Sequence, residues 1–208
     1  MRLGVLTLGL LLAATGNADA EWQITPSFGI SFAGDTTFVD AERAAGSANA
    51  VFGLRGVLLG EVFGVEADFG AAPGFFQRGL FHFGGDSPVP PGGGSGNDVG
   101  SQVMTLTGNF VVAVPRSVAE FTLRPYLVGG AGLMRVEIND LAVLPARSTL
   151  TAIDLGGGVT GFLTDRFGLN WDFRRFWTVG GMDQELGFSI GEESLSFWRA
   201  SMGLAIRF

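Results

Sequence analysis

The side chains of this chain that could carry chemistry are arginines and carboxylates placed at alternate positions. Glu66 and Asp68 stand two apart, as do Asp172 and Arg174, and Arg55, Arg124, Asp154, Arg199 and Arg207 each sit in a segment that alternates large apolar with small or polar residues. A period of two puts every second side chain on the same face of a strand. These charged groups are therefore expected together, on the less apolar face of each segment. Two carboxylates on one face would suit general acid–base work. With arginines on facing strands, ion pairing is the stronger expectation for Glu66 and Asp68, because the planar guanidinium fork engages carboxylates two bonds at a time. All 13 basic residues are Arg, and there is no Lys.

His82 is the single histidine, in Phe81-His82-Phe83, with Asp86 and Ser87 close by in sequence. Hydrolytic catalysis of the Ser/His/acid kind needs a base beside a nucleophile. No hydrolase motif is matched around His82, which reads as a loop histidine, and no catalytic residue is assigned. One histidine and no cysteine leave no clustered metal site, Zn-thiolate centre, Cys nucleophile or disulfide scaffold, and no cofactor is expected. A net charge of -7 argues against a nucleic-acid partner, which demands a basic face. Only 16% of residues are charged and 12% are aromatic, which argues against disorder.

The elements that must position these residues are strands. Alternation runs through 22–32, 50–60, 62–70, 104–114, 121–133, 153–163, 169–174 and 198–208. That makes eight segments, most near the roughly 9–11 residues of a tilted membrane strand. The connections alternate long and short. Those at 33–49, 71–100, 137–150 and 177–194 are long; those at 60–61, 115–120 and 164–166 are tight. Residues 1–20 read as a cleaved secretory signal peptide, with Arg2, an apolar stretch and an Ala18-Asp19-Ala20 cleavage site before Glu21. The apolar stretch is shorter than the roughly 18 residues of a spanning helix. Residues 21–208 are then expected to form one all-β domain: an eight-stranded antiparallel up-and-down transmembrane barrel. Its short turns would be periplasmic and its long loops external, as in the bacterial outer membrane.

A soluble barrel around a ligand is the competing fold, and depth decides against it. Trp22, Phe63, Phe121, Phe167 and Phe208 lie on the apolar face at one end of their strands, and Phe32, Phe52, Phe69 and Trp198 lie on it towards the other. Two aromatic girdles at membrane interfaces require this arrangement, whereas in water so apolar an outer surface would aggregate. The mean hydropathy of +0.35 without a spanning helix is thereby accounted for. Surplus acid falls in the long loops, and the charged faces turn into the lumen.

Three stretches carry a family resemblance: Gly64-Val65-Glu66-Ala67-Asp68-Phe69-Gly70, Arg124-Pro125-Tyr126-Leu127-Val128-Gly129-Gly130-Ala131-Gly132, and the terminal Ala205-Ile206-Arg207-Phe208. Together they resemble the small outer-membrane β-barrel family that includes the OmpA transmembrane domain and OmpX-like proteins. The resemblance implies that Phe208 is the signal read by the outer-membrane assembly machinery. The expected partners are outer-membrane lipid, lipopolysaccharide and that machinery, with a surface partner reached through the loops. The favoured role is structural or surface-interacting, with the lumen charges forming a plug. A narrow OmpW-like pore is the alternative, followed by a lipid-A-modifying enzyme. The apolar half of loop 71–100, with Phe75-Phe76, Leu80, Phe81 and Phe83, is expected to pack on itself at the strand ends, with docking on a partner surface or dipping into the outer leaflet as the alternative.

Overall fold

The computed structural model describes residues 20–36, 48–75, 100–117, 119, 123–139, 146–181 and 195–208. The alternating segments form strands β1 (Glu21–Thr36), β2 (Asn49–Leu59), β3 (Phe63–Pro73), β4 (Gly100–Ala113), β5 (Leu123–Asn139), β6 (Ala146–Phe162), β7 (Phe167–Gly181) and β8 (Leu195–Arg207). Each strand pairs antiparallel with the next, and β1 pairs with β8, so the sheet closes into a barrel. Closure leaves no open edge, the condition any sheet must meet where water cannot satisfy its backbone. No helix among the described residues is long and apolar enough to cross a membrane, which says nothing of strands.

Closing eight strands requires a stagger. The ladder that starts at Gln23 runs through Val57, Glu66, Asn109, Gly130, Asp154 and Phe176 to Phe197. It arrives beside Trp198, which pairs with Phe32 near the far end of β1 rather than with Gln23. Residues that neighbour one another along a ladder thus lie at different heights, and groups distant in the ladder come together across the lumen. Near that seam β1 carries a bulge between Phe32 and Asp35, where Ala33 takes a left-handed φ of 48°. Glycines permit tight coiling where interior groups crowd the wall. A Cβ on Gly156 would come within 2.7 Å of Cα and Cγ of Arg174, its ladder partner.

The barrel is polar inside and apolar outside along most of its height. Trp22, Phe63, Phe110 and Leu127 are each more than half exposed, whereas Arg55, Glu66, Asp68 and Arg174 on the opposite parity are buried. Trp22, Phe63, Phe167 and Phe208 project outward at the end that carries the tight turns, the start of β1 and the end of β8, here the turn end. Phe32, Phe52, Phe69 and Trp198 face outward nearer the other, loop end. Phe121 lies outside the described residues.

Most strands run further at the loop end than the alternation of apolar outward residues indicates. β5 continues to Asn139, β6 begins at Ala146 and β7 reaches Gly181. The expected loop 137–150 accordingly contracts to 140–145, shorter than the 114–122 connection at the turn end, so the strict alternation of long and short connections does not hold there. The physical reason is a reversal of polarity at constant parity. Arg135 and Glu137 now point outward and pair with each other at 2.7 Å, while Met134, Val136, Ala152, Phe176, Leu195 and Phe197 pack inward. Sequence reasoning ended these strands where the outer face turned polar, but the ladder hydrogen bonds continue. Phe75 joins this inner cluster, edge-on to Phe197 at 5.2 Å, so it is not a docking residue on the loop.

A closed barrel of this kind resists detergent unfolding until heated. Unboiled protein is expected to migrate as a separate band from boiled protein on a detergent gel; identical mobilities would contradict closure.

Candidate functional site in the barrel lumen

The interior is layered. Near the turn end Val57, Leu59, Val111, Ala113 and Val128 make an apolar tier with the ring of Tyr126. At the loop end the cluster around Phe75, Phe176 and Phe197 makes a second. Between them lie three arginines and four carboxylates. Arg174, with no exposed surface, is the centre. Its guanidinium donates to both oxygens of Glu66, at 2.6 and 3.0 Å, and to both oxygens of Asp172, at 2.7 and 2.9 Å. It also reaches Asp154 at 3.3 Å. Arg199 spans both oxygens of Asp68 at 2.8 Å, and its guanidinium carbon lies 4.7 Å from the centroid of the Phe176 ring, on the floor of the apolar tier above. Arg55 donates to the Tyr126 hydroxyl at 2.8 Å and to Asn170 at 3.0 Å, and lies 3.3, 3.5 and 3.6 Å from Asp172, Asp68 and Glu66.

The seven charged groups come from five strands, brought together by the closure and stagger of the sheet. Arg55 is on β2, Glu66 and Asp68 on β3, Asp154 on β6, Asp172 and Arg174 on β7, and Arg199 on β8. Neutral side chains complete the net. Asn109 of β4 donates to Glu66 at 2.9 Å; the Tyr126 hydroxyl of β5 donates to Asp172 at 2.7 Å; Asn170 donates to Thr160 at 2.8 Å.

Arg124 and Arg207, expected in the same network, stand apart from it. Arg124 is buried at the turn end, where it donates to the backbone carbonyls of Val114, Gly60 and Glu61 at 3.0, 2.8 and 2.8 Å. It ties together the ends of β2 and β4 and takes no lumen carboxylate. Arg207 donates to the Asp165 carbonyl at 2.7 Å and lies 3.5 Å from Glu21, a carboxylate also paired with Arg116. Both residues have inward parity, as expected, but they sit at the bottom rim because each lies close to the turn end of its strand. Glu21, Arg116, Asn109, Tyr126 and Asn170 were not among the expected site residues. For three of them the signal lies in the sequence: Asn109, Tyr126 and Asn170 share parity with the charged residues but carry no formal charge.

Arithmetically the central net has one more acid than base, and Arg55 Nε and Nη2, Arg199 Nε and Asp154 Oδ1 are buried without a hydrogen-bond partner. A cavity of about 20 Å³ lined by Arg55, Tyr126, Thr160 and Asn170 adjoins it, room for about one water molecule. Among the described residues no group of three His, Cys, Asp or Glu side chains is placed to hold a metal ion. His82 and the acids at 40, 42, 86, 98, 140, 183, 185, 192 and 193 lie outside the described residues. What the net does chemically is fill and cross-link the lumen.

Removing one partner of a buried ion pair strands the other and costs about 3–5 kcal/mol, whereas exposed pairs are worth about 0–1 kcal/mol. Arg174→Met is expected to lower stability by about 3–5 kcal/mol, and Arg135→Met, which breaks the outer pair with Glu137, by less than about 1 kcal/mol. Urea unfolding in lipid vesicles measures both, and equal losses would show that the interior net has no special weight.

No protein-family model matches the sequence, and no curated protein matches it as a relative. Solved structures do match. The crystal structure of Neisserial surface protein A superposes with a TM-score of 0.56 at 10% identity, over 90% of this chain and 97% of that one. The N-terminal β-barrel domain of Pseudomonas aeruginosa OprF gives 0.52 at 13% identity, over 92% of this chain and 100% of that one. The attachment invasion locus protein Ail of Yersinia pestis gives 0.50 at 13% identity, over 91% and 99%. At these identities the likeness is one of fold: the chain has the architecture of the small eight-stranded outer-membrane barrels.

Proposed function

We propose that this chain is a bacterial outer-membrane barrel with a permanently closed lumen and a structural or surface-interaction role, akin to the OmpA transmembrane domain and OmpX, and that it is not an enzyme. The outward belt is the ground for the location. Leu106 and Leu155 are 55% and 60% exposed in mid-strand, a surface suited to hydrocarbon and hazardous in water. The turn end, with the start of β1 and the end of β8, then faces the periplasm, and the long connections face outward. Phe208 sits at the turn end, its N–H bonded to the Trp22 carbonyl at 3.0 Å, where the assembly machinery would read it.

One observation carries the closed lumen. The fully buried Arg174 guanidinium is bound by three carboxylates between two apolar tiers. Parting these groups without replacement partners would leave buried charges uncompensated, which holds the lumen closed. A surface role accords with the names of two of the similar barrels, a surface protein and an attachment protein. The competing reading is a narrow pore. The polar atoms of Arg55, Arg199 and Asp154 that make no hydrogen bond and the small adjoining cavity favour it, but both apolar tiers stand in the path.

Purified protein in planar bilayers is expected to show no long-lived unitary conductance. A steady single-channel current would overturn the closed lumen in favour of the pore.

A further inference from the structure

The outward belt is not uniform. Across β6, β7, β8 and β1 it is cut by an open furrow of about 580 Å³. The furrow exists because small residues, Gly157 and Ala200, stand among the large side chains Phe28, Trp171, Phe173 and Met202. Its upper end is chemically different. Phe173 pairs with Ala200 in the β7–β8 ladder, and the next outward pair towards the loop end is Arg175 with Trp198. Trp198 stacks on Phe173 with ring centroids 4.8 Å apart, and the Arg175 guanidinium carbon lies 5.5 Å from the Trp198 centroid. Arg175 is exposed, and among the described residues no carboxylate pairs with it. Arg135, the other outward arginine described towards the loop end, is instead paired with Glu137.

An apolar slot alone selects nothing in a bilayer, because any acyl chain covers it equally well. A guanidinium held on an indole face at the end of the slot does select. The ring orients its fork, Arg is weakly hydrated, and planar bidentate donation matches a phosphate. We infer that the furrow and Arg175 together form a site for a phosphorylated glycolipid of the lipid A type in the outer leaflet. One acyl chain lies between Phe28 and Phe173, and a phosphate rests on Arg175. The leaflet follows from height, since Arg175 stands at the loop-end margin of the belt. The inference rests on reading the barrel as an outer-membrane protein.

The test uses the full folded protein in nanodiscs of zwitterionic phosphatidylcholine, with diphosphorylated lipid A titrated in and bound lipid counted by native mass spectrometry. Arg175→Gln is expected to weaken lipid A binding about tenfold, the worth of a charge-assisted hydrogen bond. Ala200→Leu, which fills the furrow with a residue the bilayer tolerates, is expected to weaken it too. Arg135→Gln should leave it unchanged, and dephosphorylated lipid A should bind the unaltered protein no better than intact lipid A binds Arg175→Gln. Unchanged binding by Arg175→Gln in a barrel that retains heat-dependent gel mobility overturns the site. Phosphatidylglycerol binding as tightly as lipid A overturns the choice of ligand. Failure of the protein to fractionate with outer membranes is a separate result: it overturns the location, whatever the variants do.

Discussion

A guanidinium with no exposed surface must find its counter-charge inside the protein, and in this barrel that requirement governs the rest. Arg174 meets it with Asp172 of its own strand, Asp154 of the neighbouring strand and Glu66 of β3, and Glu66 reaches it across the lumen only because the sheet closes with the stagger it has. Arg55, Arg199, Asn109 and Tyr126 extend the net to β2, β8, β4 and β5. Every strand but β1 thus contributes a group to one polar cluster. A register slip of one residue would turn these groups out through the wall and the aromatics in. Electrostatic satisfaction and the inverted polarity of the wall are one constraint seen from its two sides.

Constant parity with changing chemistry explains the shape of the molecule from end to end. Through the middle of the barrel inward means polar and outward means apolar. At the loop end the same parity carries Met134, Val136 and Phe176 inward and Arg135, Glu137 and Arg175 outward, as in a barrel surrounded by water. The change marks the height at which the surroundings of the wall change. It also gives the lumen a dry cap, so that the central charges are shielded from above by packed rings and from below by the tier around Val57 and Val128. Low polarity on both sides strengthens each ion pair and raises the penalty for parting one.

The turn end is organised differently. Arg124 gathers three backbone carbonyls, and Glu21 receives Arg116 and Arg207. These contacts fasten the ends of β1, β2, β4 and β8 where the ladders stop. They are ordinary answers to strand termini, whose last carbonyls would otherwise be unpaired. Charge of one sign thus does two jobs in one lumen: neutralising acids at the centre and satisfying backbone at the rim.

Much of this was legible in the residue order, because a period of two is a local property. Alternation alone identified eight strands, assigned Arg55, Glu66, Asp68, Asp154, Asp172, Arg174 and Arg199 to the interior, and put Trp22 and Phe110 outside. Parity also carried Arg124 and Arg207 inward correctly, yet said nothing of their height. Which arginine meets which acid was decided only by the tertiary structure. Pairing across a barrel depends on stagger summed over all eight strands, a global quantity that no single segment encodes. The same holds for the apolar cap and the extended strand ends, where the pattern kept its period and exchanged its faces. Sequence determined the side of the wall on which each residue lies; the closed fold decided its depth, its neighbours and therefore its chemistry.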